Sequence, residues 1–438
     1  MRKKINCLLI TLMMSAALTA CGSTNNNTKT DTTQTESVKE LTADDTDNNV
    51  SDEDITEAAA STDNTDDITT ANVSSDGMID ASDMFTERDL EQSADLSEAV
   101  YYTLADGEDI TITEAGVYVI NGDASDVTIY VTAGDDDKVQ LVLNGAVITN
   151  EDMPAIYVEN ADKVFVTTAD GSDNTLTVSG AFTEDEDLNA DAVIYAKDDL
   201  VLNGLGTLNI VSTDKGVMCK DGIKVTGGII TVECVGSALY AKDEIEIADV
   251  SLIVTACSDG IHAEDSDDDT NGYVYICGGT FDINATDDAI HATTIVQIDG
   301  GDFTIAAAEG IEGSYIQIND GTMCIEASDD GINAANKSSA YSATFEMNGG
   351  LVTIVMAQGD TDGIDSNGDI YVNGGTIDIT GQSTFDYDGT AVYNGGTIIE
   401  NGEETNSITN QLMGGDLGQG GGFGGDLGED FGGNGGRP

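Results

Sequence analysis

Apolar residues alternate in short runs along most of the chain, and the runs return on a regular beat. Gly-rich turns separate them at Thr226-Gly227-Gly228, Ala248-Asp249-Val250, Cys277-Gly278-Gly279, Asp299-Gly300-Gly301, Asn319-Asp320-Gly321, Asn348-Gly349-Gly350, Asn373-Gly374-Gly375 and Asn394-Gly395-Gly396. The middle residues of these turns lie 22, 29, 22, 20, 29, 25 and 21 apart, a period near 22 with inserts in three coils. Each period holds three alternating runs. The first follows the turn (Ile230/Val232, Leu252/Val254, Phe281/Ile283, Phe303/Ile305, Met323/Ile325, Val352/Ile354, Ile377/Ile379). The second pairs an aliphatic with a small residue (Leu239/Ala241, Ile261/Ala263, Ile290/Ala292, Ile311/Gly313, Ile332/Ala334, Ile364/Ser366). The third precedes the next turn (Ile245/Ile247, Val274/Ile276, Ile295/Ile298, Ile316/Ile318, Ile370/Val372).

Alternation with period two marks strands with one buried face. Three short strands per coil of about 22 residues describe a three-sided solenoid, an all-β, right-handed parallel β-helix. Stacking supplies the core, and equivalent residues then lie one strand spacing apart, about 4.8 Å. Val100 to Leu208 follows the same grammar less regularly (Leu141/Leu143, Ile156/Val158, Val164/Val166, Ile194/Ala196, Leu200/Leu202). A β-propeller blade needs nearly twice this period.

The ends read differently. A basic start at Arg2, Lys3 and Lys4 precedes an apolar run from Ile5 to Leu18, an export signal too short to span a bilayer. It ends at Leu18-Thr19-Ala20-Cys21-Gly22, which looks like a bacterial lipobox with Cys21 as the lipidated new N-terminus. An ordinary secretory signal with a chance cysteine is the competing reading, and both place the protein outside the cytoplasm. Residues 21–98 are polar, acidic and aperiodic, the composition of an extended tether. Residues 411–438 are Gly-rich low complexity. The expected division is therefore signal 1–20, tether 21–98, β-helix 99–410 and tail 411–438.

Charge narrows the partners. The chain carries 15 Lys plus Arg against 82 Asp plus Glu, a formal net charge of −67. Nucleic acid is excluded, because polyanion binding needs a surplus of cations. A polyanionic sugar would be repelled as well, unless divalent cations intervene; Ca2+ suits carboxylates, carbonyls and water. Acidity serving solubility alone is the plainer alternative. Beyond Cys7 and Cys21, the cysteines Cys219, Cys234, Cys257, Cys277 and Cys324 form no CxxC pair and read as small packing residues. Two histidines and no tryptophan argue against a His-rich metal site and against tryptophan sugar platforms.

Aligned coils turn scattered residues into lines. Two places before the second-run aliphatic stand Lys215, Ser237, Asp259, Asp288, Glu309, Asp330 and Asp362, with Asp287, Asp329 and Asp360 beside them. Stacked carboxylates repel unless a cation bridges them, so these acids are calcium-ligand candidates. The competing reading makes Asp259-Gly260, Asp330-Gly331 and Asp362-Gly363 turn formers, with Gly allowing positive φ. One place after the aliphatic, an outward line runs Tyr157, Tyr195, Met218, Tyr240, His262, His291, Glu312, Asn333 and Asp365. Its rings and hydrogen-bonding groups suit a sugar polymer, although tyrosine is also a favoured strand residue. Two places further, Lys197, Lys220 and Lys242 align and are followed by Glu264, for carboxylate capture or a lyase base, or for charge pairing along the stack with Asp198, Asp221, Asp243 and Glu264. Two inserts, 264–272 and 335–343, leave from the same turn and could wall a groove. Asp265, Asp267 and Asp269 in the first resemble the opening of a calcium loop, but Thr270 and Ile276 stand where an EF-hand has Gly and Glu.

Residues 109–400 resemble a bacterial family of surface carbohydrate-binding β-helix proteins similar to polysaccharide lyases. The phrases that carry the likeness are Ala133-Gly134-Asp135-Asp136-Asp137-Lys138-Val139-Gln140-Leu141-Val142-Leu143, Ala161-Asp162-Lys163-Val164-Phe165-Val166, Ala196-Lys197-Asp198-Asp199-Leu200 and Gly272-Tyr273-Val274-Tyr275-Ile276. The resemblance implies calcium sites and affinity for cellulose-like and pectin-like polymers without established cleavage. Ala248-Asp249-Val250 in place of a Gly turn, and Ala289 in place of Gly, depart from the pattern. The reading from the sequence is a monomeric, calcium-dependent, non-catalytic binder of acidic or cellulosic polysaccharide at the cell surface. A lyase is the alternative, with Lys337 in a loop as the base that could reach in, and a purely structural adhesin-like solenoid is another.

Overall fold

In the computed structural model, residues 79–183, 190–359 and 361–411 are described. They form 34 strands and no helix. Strands pair in parallel with their counterparts one coil before and one coil after, in three ladders that correspond to the three runs of the sequence. The exception closes the last coil: Thr397–Glu400 pairs antiparallel with Glu403–Thr405, which covers an edge that would otherwise template another strand.

The inward residues stack as the alternation demands. In the turn-following ladder, Ile230, Leu252, Phe281, Phe303, Met323, Val352, Ile377 and Ile398 are in register and buried. Phe281 and Phe303 stack with ring centroids 4.4 Å apart. In the middle ladder, Leu239, Ile261, Ile290, Ile311, Ile332 and Ile364 do the same. Each such side chain contributes roughly 1.5–3 kcal/mol by leaving water, a gain that exists only when a neighbouring coil covers it.

The third run needs one correction. Val274 is in register with Val296, so the inward pair of that coil is Val296/Ile298, while Ile295 aligns with Tyr315. Strict alternation wins over the aliphatic identity of Ile295. The core also admits a polar residue: Asn174 is in register with Leu208 yet fully buried. Its carboxamide accepts from the Gly145 and Ala146 amides at 2.9 Å and donates to the Thr207 carbonyl at 3.0 Å, so burial leaves it paired.

Glycines serve two distinct ends. In the turns, Gly228, Gly279, Gly301, Gly321, Gly350, Gly375 and Gly396 have φ between 77° and 116°, closed to other residues without strain. The glycines after the stacked acids do not share that conformation. A Cβ on Gly331 would lie 2.4 Å from the Gly363 carbonyl, and one on Gly310 2.3 Å from the Gly331 carbonyl. The Asp-Gly pairs are therefore sites of close coil-to-coil approach, and the positive-φ turn reading is set aside for them.

Residues 79–92 depart from the expected tether by lying along the ladder that precedes the turns. The Ile79 amide donates to Gln297 Oε1 at 2.7 Å, the Met84 carbonyl accepts from Lys224 Nζ at 2.5 Å, and Arg88 sits over the Phe165 ring at 4.5 Å. Asp89 is buried beside Lys163, and Gln92 bonds the Thr226 carbonyl. Isolated apolar residues without a period found partners in a strap across several coils. One face of the solenoid is thereby covered along this stretch.

Candidate functional site

The outward line of the middle ladder is continuous. Register runs Tyr130, Tyr157, Tyr195, Met218, Tyr240, His262, His291, Glu312, Asn333, Asp365 and Asp386, one residue per coil. Its upstream part is closed. Tyr157 and Tyr195 stack at 5.5 Å and pack with Ala190, Ala192 and Met218, leaving 3% and 2% of their surface exposed. Rings so covered serve packing and offer no open sugar platform, which corrects the expectation for these two; Tyr240 remains half-buried. The Tyr157 hydroxyl donates to Glu159 Oε2 at 2.6 Å, and burial, followed by that contact, pushes it up to about 12.

The lysine line stacks as expected but pairs differently. Lys197 Nζ meets both Glu159 oxygens at 2.9 Å, Lys242 meets Asp265 at 3.1 Å and Asp267 at 3.6 Å, and Lys220 lies over the Tyr195 ring at 5.8 Å. Asp198 instead accepts the Ala161 amide, and Asp243 the Asn271 side chain. Asp221 is pushed up to about 7 by burial and by Asp199 and Asp243.

Downstream, polar groups converge. The His262 and His291 rings stack at 4.3 Å. His262 Nδ1 contacts Asp259 Oδ2 at 3.1 Å and its Nε2 contacts Glu264 Oε2 at 3.1 Å. His291 Nδ1 lies 2.8 Å from both Asp288 Oδ2 and Glu312 Oε2. Lys337, from the second insert, reaches Glu312 Oε1 at 2.8 Å. Burial would lower the His291 imidazolium, but Asp288 and Glu312 raise it to about 9; Glu312, raised by burial alone, is pulled to about 2 by His291 and Lys337. Burial also works against Asp259, yet the His262 contact holds its carboxyl low.

The acidic column stands two places before the in-register aliphatics Ile261, Ile290, Ile311, Ile332 and Ile364. Asp288 aligns with Glu309, the Asp288 amide reaches Asp259 Oδ1 at 3.3 Å, and the Asp362 amide reaches Asp330 Oδ1 at 3.1 Å. Among the described residues, Lys337 interacts with Asp288 and Glu309 of this column. Burial, then Glu312 and Asp288, pushes Glu309 up to about 8. Burial, then Asp365 and Asp329, pushes Asp330 up to about 7, and burial with Asp386 takes Asp365 to about 6. Asn333 donates to Glu309 Oε2 at 3.1 Å, while its buried Oδ1 has no hydrogen-bond partner.

Asp287 and Asp329 are exposed at the rim. Asp360 and Cys21 lie outside the described residues. The loop acids part company: Asp265 and Asp267 go to Lys242, whereas Asp269 accepts the Ser339 amide at 2.9 Å and its hydroxyl at 3.0 Å. That contact ties the two inserts together over the edge of the middle face, as their shared origin suggested. It also takes Asp269 away from any common ligand point with Asp265 and Asp267. Among the described residues, the groups of three ligating side chains that converge are His262–Glu264–His291 and Asp288–His291–Glu312. Glu264, Glu312 and Lys337 are thus central residues that the sequence reading placed in lines or loops without assigning them to the site.

Comparison with known proteins agrees with a carbohydrate role. The profile of carbohydrate-binding domain-containing proteins matches residues 106–313 and 306–411. A carbohydrate-binding domain-containing protein of Acetivibrio thermocellus is 36% identical over 128 residues, 28% of this chain and 45% of the relative, so the chain spans under half the length of that curated relative. Among solved structures, the polysaccharide lyase-like protein from C. thermocellum, as a gadolinium derivative, is similar with a TM-score of 0.33 at 22% identity, covering 69% of this chain and 96% of that one. By the extent of the profile match, the chain belongs to the family of carbohydrate-binding domain-containing proteins.

Proposed function

We propose that the middle face binds cell-wall polysaccharide, pectin-like or cellulose-like, with Ca2+ between sugar and protein and without cleaving the chain. The observation that carries this reading is the unbroken outward line from Tyr240 to Asp386, half-buried at Tyr240, His262, Asn333, Asp365 and Asp386 and buried at His291 and Glu312. A linear polymer matches a linear array of groups repeating at strand spacing.

The oxygen donors downstream fit calcium. Glu309, Asp330, Asp362 and Asp365 would hold it, with the partnerless Asn333 Oδ1 as a neutral donor, and carboxyls raised by burial and then by neighbouring acids have most to gain from a divalent ion. The ion would supply charge neutralisation and open positions for uronate or hydroxyl oxygens. The lyase alternative loses ground at Lys337. Burial would lower its ammonium, but Glu312 and the acids around it raise it, and a base for a uronate α-proton must be neutral. Export, a lipid anchor at Cys21, a tether lifting the solenoid from the membrane, a monomeric state and a right-handed coil complete the proposal; the hand follows the near-universal rule for parallel crossovers.

The test is pull-down on polygalacturonate, cellulose and mannan with and without chelator, monitored for the ultraviolet absorbance of unsaturated products. Chelator-sensitive retention without an absorbance rise is expected. Retention that ignores chelator removes the calcium bridge, and rising absorbance makes the protein a lyase.

A further inference from the structure

We propose that His262, His291 and Glu264 form a second kind of metal site on this face, for a borderline divalent ion of the zinc class. The proposal is independent of the calcium reading, because two of its three donors are nitrogens and its carboxylate, Glu264, is not among the calcium donors.

The ligating atoms of the three residues lie within 4.8 Å of one another. His262 and His291 occupy equivalent positions in adjacent coils, and their rings stack with 22° between planes, so equivalent nitrogens face the same way. Each ring is held by the aspartate three residues before it: Asp259 on His262 Nδ1 at 3.1 Å, Asp288 on His291 Nδ1 at 2.8 Å. An ionised carboxylate only accepts, so Asp259 and Asp288 hold the Nδ1 protons and Nε2 is the ligating nitrogen, its proton shared with Glu264 in His262 being the one that an ion displaces. A carboxylate behind a histidine, fixing its tautomer and raising its basicity, is the usual support of a metal-bound imidazole. Here the support is built twice. His262 Nε2 already faces Glu264 Oε2 at 3.1 Å, and the Glu264 side chain is 43% exposed, so the carboxylate end of the group is in reach of solvent.

Two imidazole nitrogens and one carboxylate suit Zn2+ or Co2+ and not Ca2+, which prefers six to eight oxygens. The overlapping group Asp288–His291–Glu312 is less suited. Its shared nitrogen, His291 Nδ1, is at hydrogen-bond distance from both carboxylates, and the Lys337 ammonium occupies Glu312.

The full chain, stripped by chelator and dialysed, is titrated with Co2+ in the absence of polysaccharide. A visible absorption band saturating near one equivalent, persistent in excess Ca2+ and bleached by Zn2+, is expected. His262→Gln and Glu264→Gln lose the band while far-ultraviolet circular dichroism stays that of the parent; Glu312→Gln keeps it. Asp259→Asn weakens Co2+ binding about 10–100-fold, the usual loss when such a support is removed. No band in the parent chain, a band surviving His262→Gln, displacement by Ca2+, or loss with Glu312→Gln but not with Glu264→Gln overturns the site.

Discussion

Two stretches of one ladder solve the same stacking problem in opposite ways. From Tyr130 to Tyr240 the outward residues are mostly aromatic, and the nearby acids find lysines: Lys197 on Glu159, Lys215 on Asp191, Lys242 on Asp265. From His262 to Asp386 the same positions carry imidazoles, carboxylates and a carboxamide, and between His262 and Gln411 the sequence holds one Lys or Arg, Lys337. The upstream stretch is therefore the more closed at Tyr157 and Tyr195 and the more often lysine-paired, although Asp221 is raised there, while the downstream stretch buries acids whose carboxyls are raised. One fold supports both because stacking depends on the inward residues, which are alike along the solenoid. What the outward line costs, or gains from a ligand, is left to side chains the core does not constrain.

The sharpest break of the comparison is a core-like loss upstream. Tyr195→Ala removes a ring 2% exposed and sandwiched at 5.5 Å against Tyr157, and should cost about 3–5 kcal/mol, read by denaturant unfolding. Asp365→Asn downstream should stabilise or leave unchanged the metal-free chain while weakening calcium-dependent retention; equal losses at both positions would erase the distinction.

The next effect is on pH. Glu309, Asp330 and Asp365, raised to about 8, 7 and 6, contribute stability that is fully present below the unfolded values near 4 and is lost as pH rises through 6 to 8. His291, raised to about 9, adds stability lost as pH rises toward 9, so both act in one direction over this window. Glu312, held at about 2, matters only in strong acid. The facing groups Asp288, Asp329, Asp362, Asp386 and Lys337 belong to the same field. The thermal midpoint of the metal-free chain should fall between pH 5.5 and pH 9, and saturating Ca2+ should flatten the fall. A midpoint that rises over that range contradicts the picture of raised acids.

A smaller effect belongs to the inserts. Asp269→Ala removes two hydrogen bonds to Ser339, each contributing about 0.5–1.5 kcal/mol, and should expose residues 335–343 to protease nicking without moving the global midpoint. The smallest is Lys197→Ala, whose half-exposed pair with Glu159 should contribute under about 1 kcal/mol and vanish in high salt.

Much of this was legible in the sequence. The alternation and the period near 22 placed the inward pairs in register, and the outward line from Tyr157 to Asp365 stacks as read. Coils that repeat make sequence distance a direct measure of height, which few folds permit. The cluster was half legible. His262 and His291 sit in the matching phrases Asp259-Gly260-Ile261-His262-Ala263 and Asp288-Ala289-Ile290-His291-Ala292. A count of two histidines does not show that both fall at one position of adjacent coils, where their rings stack.

The sequence by itself determined the period, the inward face and the order of groups along each line, because a strand's side chains have only two directions and a coil has one neighbour on each side. The tertiary structure alone decided which of those groups are covered and which nitrogens and oxygens meet. Burial of Tyr157 and Tyr195 depends on packing with Ala190 and Ala192, the strap of residues 79–92 on partners distant in sequence, such as Gln297 and Lys224, and the arrival of Lys337 at Glu312 on how an insert folds back. These contacts join segments without a shared period, and no repeat along the chain announces them.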